Sequence, residues 1–541
     1  MTTAHRYDGD PVVVLGNGPV GQTAALLLAR WGIPVIILDA KPERDPIGSK
    51  AIVQQRDVLD VWSAVGAGER IAAEGLTWNL ARTFYREHEL FAVEFEDKGR
   101  SPFPPFVNIS QTRTEQILDE FIEASPLIEV RWDHDVVAVA QDDKGVVLTC
   151  RSHEEAATVR APYVIACGGA RSDPLRAQLG LTFPGRTFED YFLICDIRAE
   201  IPGWEQERRF YFDPEWNPGR QVLIHPCPGS LFRIDWQVPN GFDITEEQNN
   251  GGIDRRIREI IGDRDYEVDW QSIYRFHARH TDRMSVGRVL IAGDCAHLVS
   301  PFGARGLNSG VWDAENAAWK VAFVLHGWGG DELLSSYEQE RLAAALENIS
   351  VTSATMDFLV PQDDEQQQRR LEVLEGAIDD PGLREQVDSG RLAEPFWYVE
   401  STLTTAHPER TFPGRPPRGQ TPPVVPGVIV PDVPIEGADG GATRLRQIAR
   451  DGFLVLTGDD VDPAAVGAAL DKATTAPTRV LSLAEVDATG ALRDALQPQA
   501  GEAWVIRPDA HLAAVVPAAD TARLGEAVQR ACGRAVTEPA V

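Results

Sequence analysis

Two glycine-punctuated segments carry the residues whose types and spacing suit chemistry. The first, Gly16-Asn17-Gly18-Pro19-Val20-Gly21, follows the apolar run Pro11-Val12-Val13-Val14-Leu15 and leads into a helix expected from Gln22 to Trp31. A G-x-G-x-x-G between a strand and a helix turns backbone N–H groups and the positive helix end toward an anion, and no side chains hold that anion off. Gly32 and Pro34 end the helix, and Val35-Ile36-Ile37-Leu38 reads as a second buried strand closed by Asp39, 23 residues after Gly16. That carboxylate suits the ribose hydroxyls of an adenine dinucleotide whose pyrophosphate lies on the helix end. The fingerprint alone does not distinguish FAD from NAD.

The second segment is Gly293-Asp294-Cys295-Ala296-His297-Leu298-Val299-Ser300-Pro301-Phe302-Gly303-Ala304-Arg305-Gly306-Leu307-Asn308-Ser309-Gly310. It follows the strand candidate Val289-Leu290-Ile291-Ala292 and enters a helix containing Asp313, Asn316, Trp319 and Lys320. Strand, turn and helix entrance again aim amides at a bound group, and the glycines let a flat ring or a phosphate approach the backbone.

Together the two segments resemble the class A flavoprotein monooxygenases, the FAD-dependent aromatic hydroxylases of the p-hydroxybenzoate, phenol and 3-(3-hydroxyphenyl)propionate hydroxylase type, over about the first 400 residues. The resemblance implies that Gly16, Gly18, Gly21 and Asp39 hold the ADP half of non-covalent FAD. It assigns Gly293 and Asp294 to the ribityl and pyrophosphate region, Pro301 to the side of the isoalloxazine, and Gly303, Gly306, Leu307 and Asn308 to the backbone against the flavin ring. Gln111 falls where the family places a glutamine near FAD. Lys50 stands where the family has an arginine near the pyrophosphate, so the charge is kept and the bidentate fork lost. In Tyr163-Val164-Ile165-Ala166-Cys167-Gly168-Gly169-Ala170-Arg171-Ser172, Gly168 replaces the aspartate of the family's DG motif, while Ser172 and Arg176 agree with it. His297 reads as structural.

The implied activity is hydroxylation of a phenolic or polyketide-type aromatic compound with NADPH or NADH and O2, through a flavin C4a-hydroperoxide. The flavin carries the chemistry and the protein supplies placement and a dry pocket, so no catalytic dyad is required. Epoxidation or Baeyer-Villiger oxygenation on the same scaffold, or redox-silent flavin or ligand binding, are the alternatives.

At 541 residues with 43% hydrophobic and 25% charged composition, the chain suits two or three cored domains. A net charge of -30 opposes nonspecific nucleic-acid binding. Neither a signal pattern in Met1 to Asp10 nor an apolar run approaching the roughly 20 residues of a membrane span is found, so a cytoplasmic protein without membrane attachment is expected. The six cysteines form no C-x-x-C and the histidines no metal-ligand spacing, so free thiols and no metal are expected.

These motifs require an α/β fold. A Rossmann-like FAD-binding domain is expected from residues 1–180 and 281–400, with an inserted β-sheet substrate domain over 181–280 to which part of 76–105 contributes. In Leu231-Phe232-Arg233-Ile234-Asp235-Trp236-Gln237-Val238, Phe232, Ile234, Trp236 and Val238 share one face, and Arg233, Asp235 and Gln237 the other. By resemblance the substrate lies under this sheet, with Tyr211, His225 and Arg233 as pocket candidates. The Pro/Gly-rich stretch Thr411 to Pro423 marks a linker over 401–435. Beyond it, strands at 453–457 and 503–509 around a helix at Pro463 to Ala473 resemble the thioredoxin-like C-terminal domain of the phenol hydroxylase branch over 436–541, here without C-x-x-C. A homodimer is what the resemblance suggests.

Overall fold

A computed structural model describes residues 6–45, 51–95, 101–152, 155–416, 420, 422–436 and 441–535. Strand β1 (Val12–Leu15), helix α1 (Pro19–Arg30) and strand β2 (Val35–Leu38) open the chain. Both strands are buried on both faces, which is why they read as unbroken apolar runs. They pair in parallel, and β1 pairs on its other edge with Val164–Ala166, which in turn pairs with Val289–Ile291. Gly16 therefore sits where the chain leaves to opposite sides of the sheet, the switch point at which open α/β sheets bind ligands.

A mixed eight-stranded sheet lies beside this domain. Its central strands are β3 (Gly185–Ala199), β4 (Glu207–Phe212), β5 (Gln221–Cys227), β6 (Leu231–Val238) and β7 (Tyr266–His280). Leu80–Tyr85 and His88–Glu94 complete the edge beyond β4. Alternation divides β6 as its sequence predicts: Phe232, Ile234, Trp236 and Val238 join an apolar cluster with Ile253, Ile257 and Ile261 of helix α2 (Gly252–Ile261). The opposite face carries Arg233, Asp235 and Gln237. It is not a water-facing surface, because Arg233 and Gln237 are buried too.

Helix α3 (Arg305–Leu325) follows the second glycine segment, and α4 (Glu332–Leu359) packs along it. Contact between α1 and α3 is close enough that a Cβ on Gly310 would meet Val20 Cγ2 at 2.6 Å. At the C-terminal end, β8 (Phe453–Thr457), β9 (Thr478–Ser482), β10 (Glu502–Ile506) and β11 (Leu512–Pro517) form a sheet ordered β9-β8-β10-β11. Within it β8 and β9 are parallel and the other pairings antiparallel, with helices Pro463–Ala473 and Thr521–Ala531 packed on it.

The proline-rich stretch before this unit is bound down at its two ends. Thr405 donates to the carbonyl of Ala513, Gly427 to Leu512, and Tyr398 to Gly427. Its Pro/Gly content blocks regular structure without making the ends loose.

Candidate active site

The first glycine segment forms a cradle. Gly16 has φ +95°, and a Cβ there would meet the Cys167 carbonyl oxygen at 2.6 Å. A Cβ on Gly21 would lie 1.9 Å from the Gly16 carbonyl oxygen, so that glycine lets the helix start against the strand. Gly18 differs, because a Cβ on it would meet nothing within 4 Å. It is the N-cap of α1 and offers no side-chain cap, leaving the first-turn amides toward that open space. Asp39 follows β2 directly, and its carboxylate accepts from the N–H groups of Asn17 at 2.7 Å and Lys41 at 2.9 Å. Gln111 begins the helix Gln111–Glu123 and donates to Glu115 at 2.8 Å, which also pairs with Arg44. Lys50 lies outside the described residues.

In the second segment one buried carboxylate organises the turn. Asp313 accepts from Gly293 N–H at 2.9 Å, pairs with His297 at 2.7 Å, and takes Arg341 Nε at 2.7 Å. Burial alone would raise this carboxyl, but His297, Arg341 and the hydrogen bonds override it and hold it below the usual carboxylate range. His297 is thus a buried structural partner, as expected. Asp294 and Pro301 stand exposed on the loop while Cys295 and Phe302 are buried. Gly303 has φ +94°, and a Cβ there would lie 2.0 Å from the Arg391 carbonyl oxygen. Gly306 and Leu307 lie in the first turn of α3, whose N-cap, Ala304, also offers no side-chain cap. The Asn308 side chain ties this helix to Val53–Gln55, accepting from Gln55 N–H and donating to Val53 O. Gly168 is exposed, with Ser172 Oγ 2.9 Å from where a Cβ would stand.

The sheet meets this loop through one face. Along β5, Leu223, His225 and Cys227 alternate onto that face. Leu223 belongs to the same apolar cluster as Phe302, and Cys227 to the cluster that Ala304 packs against, so His225 lies between two positions whose clusters include residues of the glycine loop. Phe302 touches the rings of Phe192, Phe210 and Phe276 at centroid distances of 5.7, 6.2 and 6.0 Å. Arg233 stands directly across from His225 on β6 and makes a bidentate pair with Asp196 of β3 at 2.7 and 2.8 Å. Two residues on, Asp235 shares the face, and burial, opposed by Arg233, raises its carboxyl to about 7. Burial, with Arg208 and Arg233 adding to it, holds His225 well below the ordinary histidine value, so the ring is neutral. Tyr211 is excluded from this group. It belongs to the opposite face, stacked on Phe84 at 4.7 Å and packed with the α2-side cluster, because it pairs with Val222 rather than with Leu223. Sequence reading overlooked Asp235 and Asp196. The usable signal was charge in strands whose opposite face is also apolar, which places the charge inside the protein.

The two helix N-termini without side-chain caps, the glycine contacts and the Asp39 carboxylate fit the donors and shape that FAD requires. Comparison with known proteins agrees. Residues 10–352 match the family described as FAD binding domain, and 424–535 that described as aromatic-ring hydroxylase, C-terminal. The 3-(3-hydroxy-phenyl)propionate/3-hydroxycinnamic acid hydroxylase of Comamonas testosteroni is 29% identical over 66% of this chain and 60% of that relative. A flavin-dependent monooxygenase of Mycobacteroides abscessus is 31% identical over 62% of this chain and 71% of its own. Among solved structures, the flavin-dependent monooxygenase PieE, in complex with FAD and substrate, superposes with a TM-score of 0.84 at 21% identity, covering 98% of this chain and 100% of that one. Aklavinone-11 hydroxylase, with FAD and aklavinone, gives 0.80 at 22% identity over 98% and 100%. The chain belongs to the FAD-binding-domain family of flavin-dependent aromatic-ring hydroxylases.

Proposed function

We propose that the protein hydroxylates a phenolic or polyketide-type aromatic compound, using NADPH or NADH and O2. The observation that carries this reading is the contact of Phe302 with Phe192 and Phe210, which lie on the sheet face bearing His225, Arg233 and Asp235. In it, Gly16, Gly18, Gly21 and Asp39 hold the ADP half of FAD. Asp294 takes the ribityl hydroxyls, and Pro301 with Gly303, Gly306, Leu307 and Asn308 supplies the backbone surface beside the ring. Gln111 flanks the cofactor, and the family resemblance assigns Lys50, outside the described residues, to its pyrophosphate. FAD, when bound, supplies the redox and oxygen-activating chemistry.

The chain's own part is placement and shielding. The aromatic walls from Phe192, Phe210, Phe276 and Phe302 exclude water from the space beside the loop. The polar patch beside them orients the ring substituents. Arg233, already paired with Asp196, serves as a fixed positive charge behind that patch, and His225 faces it.

The C-terminal unit is read as thioredoxin-like on its β9-β8-β10-β11 order, and without C-x-x-C its role is packing or dimerisation. The proposed domains are 1–180 with 281–400 for FAD, 181–280 with part of 76–105 for substrate, 401–435 as connector and 436–541 at the C-terminal end. Among the described residues no helix is long and apolar enough to cross a membrane, which is compatible with a cytoplasmic location.

Anaerobic mixing with NADH or NADPH, with and without phenols such as 3-(3-hydroxyphenyl)propionate and 4-nitrophenol, tests the reading. Flavin reduction accelerated by one phenol, and a product one oxygen heavier in air, are expected. Absence of reduction under every condition would favour redox-silent binding.

A further inference from the structure

We infer that Asp235 is the catalytic proton acceptor for a substrate hydroxyl, which restricts the substrates to aromatics carrying an ionisable hydroxyl that enters hydrogen-bonded to its Oδ1. The inference rests on the hydroxylase reading above and goes further by assigning a residue, an atom and a proton.

Three observations carry it. First, Asp235 Oδ1 and His225 Nδ1 are both buried and find no hydrogen-bond partner among the described residues. A buried polar atom left unpaired costs about 1–3 kcal/mol, so each of the two calls for a partner that the described residues do not supply. Second, the two orphans share one face on neighbouring strands, since His225 opposes Arg233 and Asp235 opposes Leu223. As diagonal neighbours they stand roughly 7 Å apart at the backbone, a span that an aromatic ring with polar substituents bridges. Third, the glycine loop packs on this same face: Phe302 meets the rings of Phe192, which opposes Gln237, and Phe210, which opposes Leu223.

The groups around Asp235 set its behaviour. Arg233 on β6 directs its guanidinium fork to Asp196 on β3, so its charge steadies Asp235 while, among the described residues, no hydrogen bond closes the two into a pair. Arg208 of β4 is a second nearby cation, Tyr274 of β7 is held protonated by burial, and His225 of β5 is neutral. Burial, opposed by Arg233 and Arg208 and helped by Asp196, leaves a carboxyl that changes protonation near neutral pH. In the step, the substrate O–H bond breaks, its proton passes to Asp235 Oδ1, and the electron pair stays on the phenolic oxygen. The ring is thereby made more nucleophilic, and release of that proton to solvent resets the carboxylate.

The test compares wild-type holoenzyme with Asp235→Asn and Asp235→Glu, using 3-(3-hydroxyphenyl)propionate or another accepted phenol, and 4-nitrophenol assayed above its own pKa. Expected for the wild type is a hydroxylation rate rising with pH through about 7. Asp235→Asn should bind FAD normally yet lose about 10²- to 10⁴-fold in hydroxylation of the protonated phenol, with much smaller loss on 4-nitrophenolate. Asp235→Glu should restore the pH limb. Equal losses on both substrates, or an unchanged pH profile in Asp235→Asn, would overturn the assignment while leaving the hydroxylase reading intact. A wild type inactive on every phenol would remove both.

Discussion

At the scale of single residues, the side chains that matter are those whose protonation the fold has moved. Asp235 has an ordinary value of 3.8 that the fold raises to about 7. A carboxyl raised on folding binds its proton more tightly in the folded state, so its contribution to stability is intact below pH 3.8 and is lost as pH climbs toward 7. Replacing it with asparagine should flatten this decline and raise stability by about 2–4 kcal/mol at pH 8. Denaturant unfolding of both proteins at pH 5 and pH 8 checks this, and an Asp235→Asn protein no more stable than wild type at pH 8 would contradict it. If the gain in stability accompanies a loss in turnover, the residue is held in an unfavourable state because the reaction needs it.

At the scale of elements, the two glycine segments differ in what they tolerate. Gly21→Ala would force a Cβ to within 1.9 Å of a carbonyl oxygen, whereas Gly18→Ala meets nothing within 4 Å. The first should fail to fold or lose several kcal/mol. The second should fold with wild-type thermal stability as apoprotein yet bind FAD at least tenfold more weakly if, as proposed, the cofactor fills that space; FAD titration and apoprotein melting separate the cases. The cradle was legible in the sequence because strand, glycine spacing and Asp39 all lie within a few dozen residues and act through the backbone. So were β6 and the C-terminal strands, whose apolar period is local. The polar face was not. Whether Arg233 and Asp235 point to water or to a second layer depends on Phe302, which is distant in sequence. Tyr211 was misplaced for a related reason: its face depends on its register with β5, and register is a property of pairing rather than of composition.

At the scale of the whole molecule, buried ion pairs join the C-terminal unit to the flavin domain. Arg507, between β10 and β11, makes two hydrogen bonds to Glu340 of α4 at 2.6 and 2.9 Å, and Glu340 also receives Lys320 of α3. Arg450 bridges Asp60 and Glu315 at 2.7 Å each. These carboxylates lie on the flavin-domain side, and α3 begins at the glycine loop. Arg507→Met leaves Glu340 with one cation fewer, and should destabilise the protein by about 3–5 kcal/mol. Because α3 and α4 share that carboxylate, flavin release on heating should shift to lower temperature together with global unfolding. Release followed by flavin fluorescence at an unchanged temperature would show the unit to be mechanically independent.

The same wiring limits how such proteins can be recombined. The arginines are contributed by one segment and their carboxylate partners by another more than a hundred residues away, so a chimera taking its C-terminal unit from a relative inherits half of each pair. Unless the donor also carries acids at positions equivalent to 60, 315 and 340, the graft places bare guanidinium groups in a dry interface. Exchange of the eight-stranded sheet faces no such requirement at this junction.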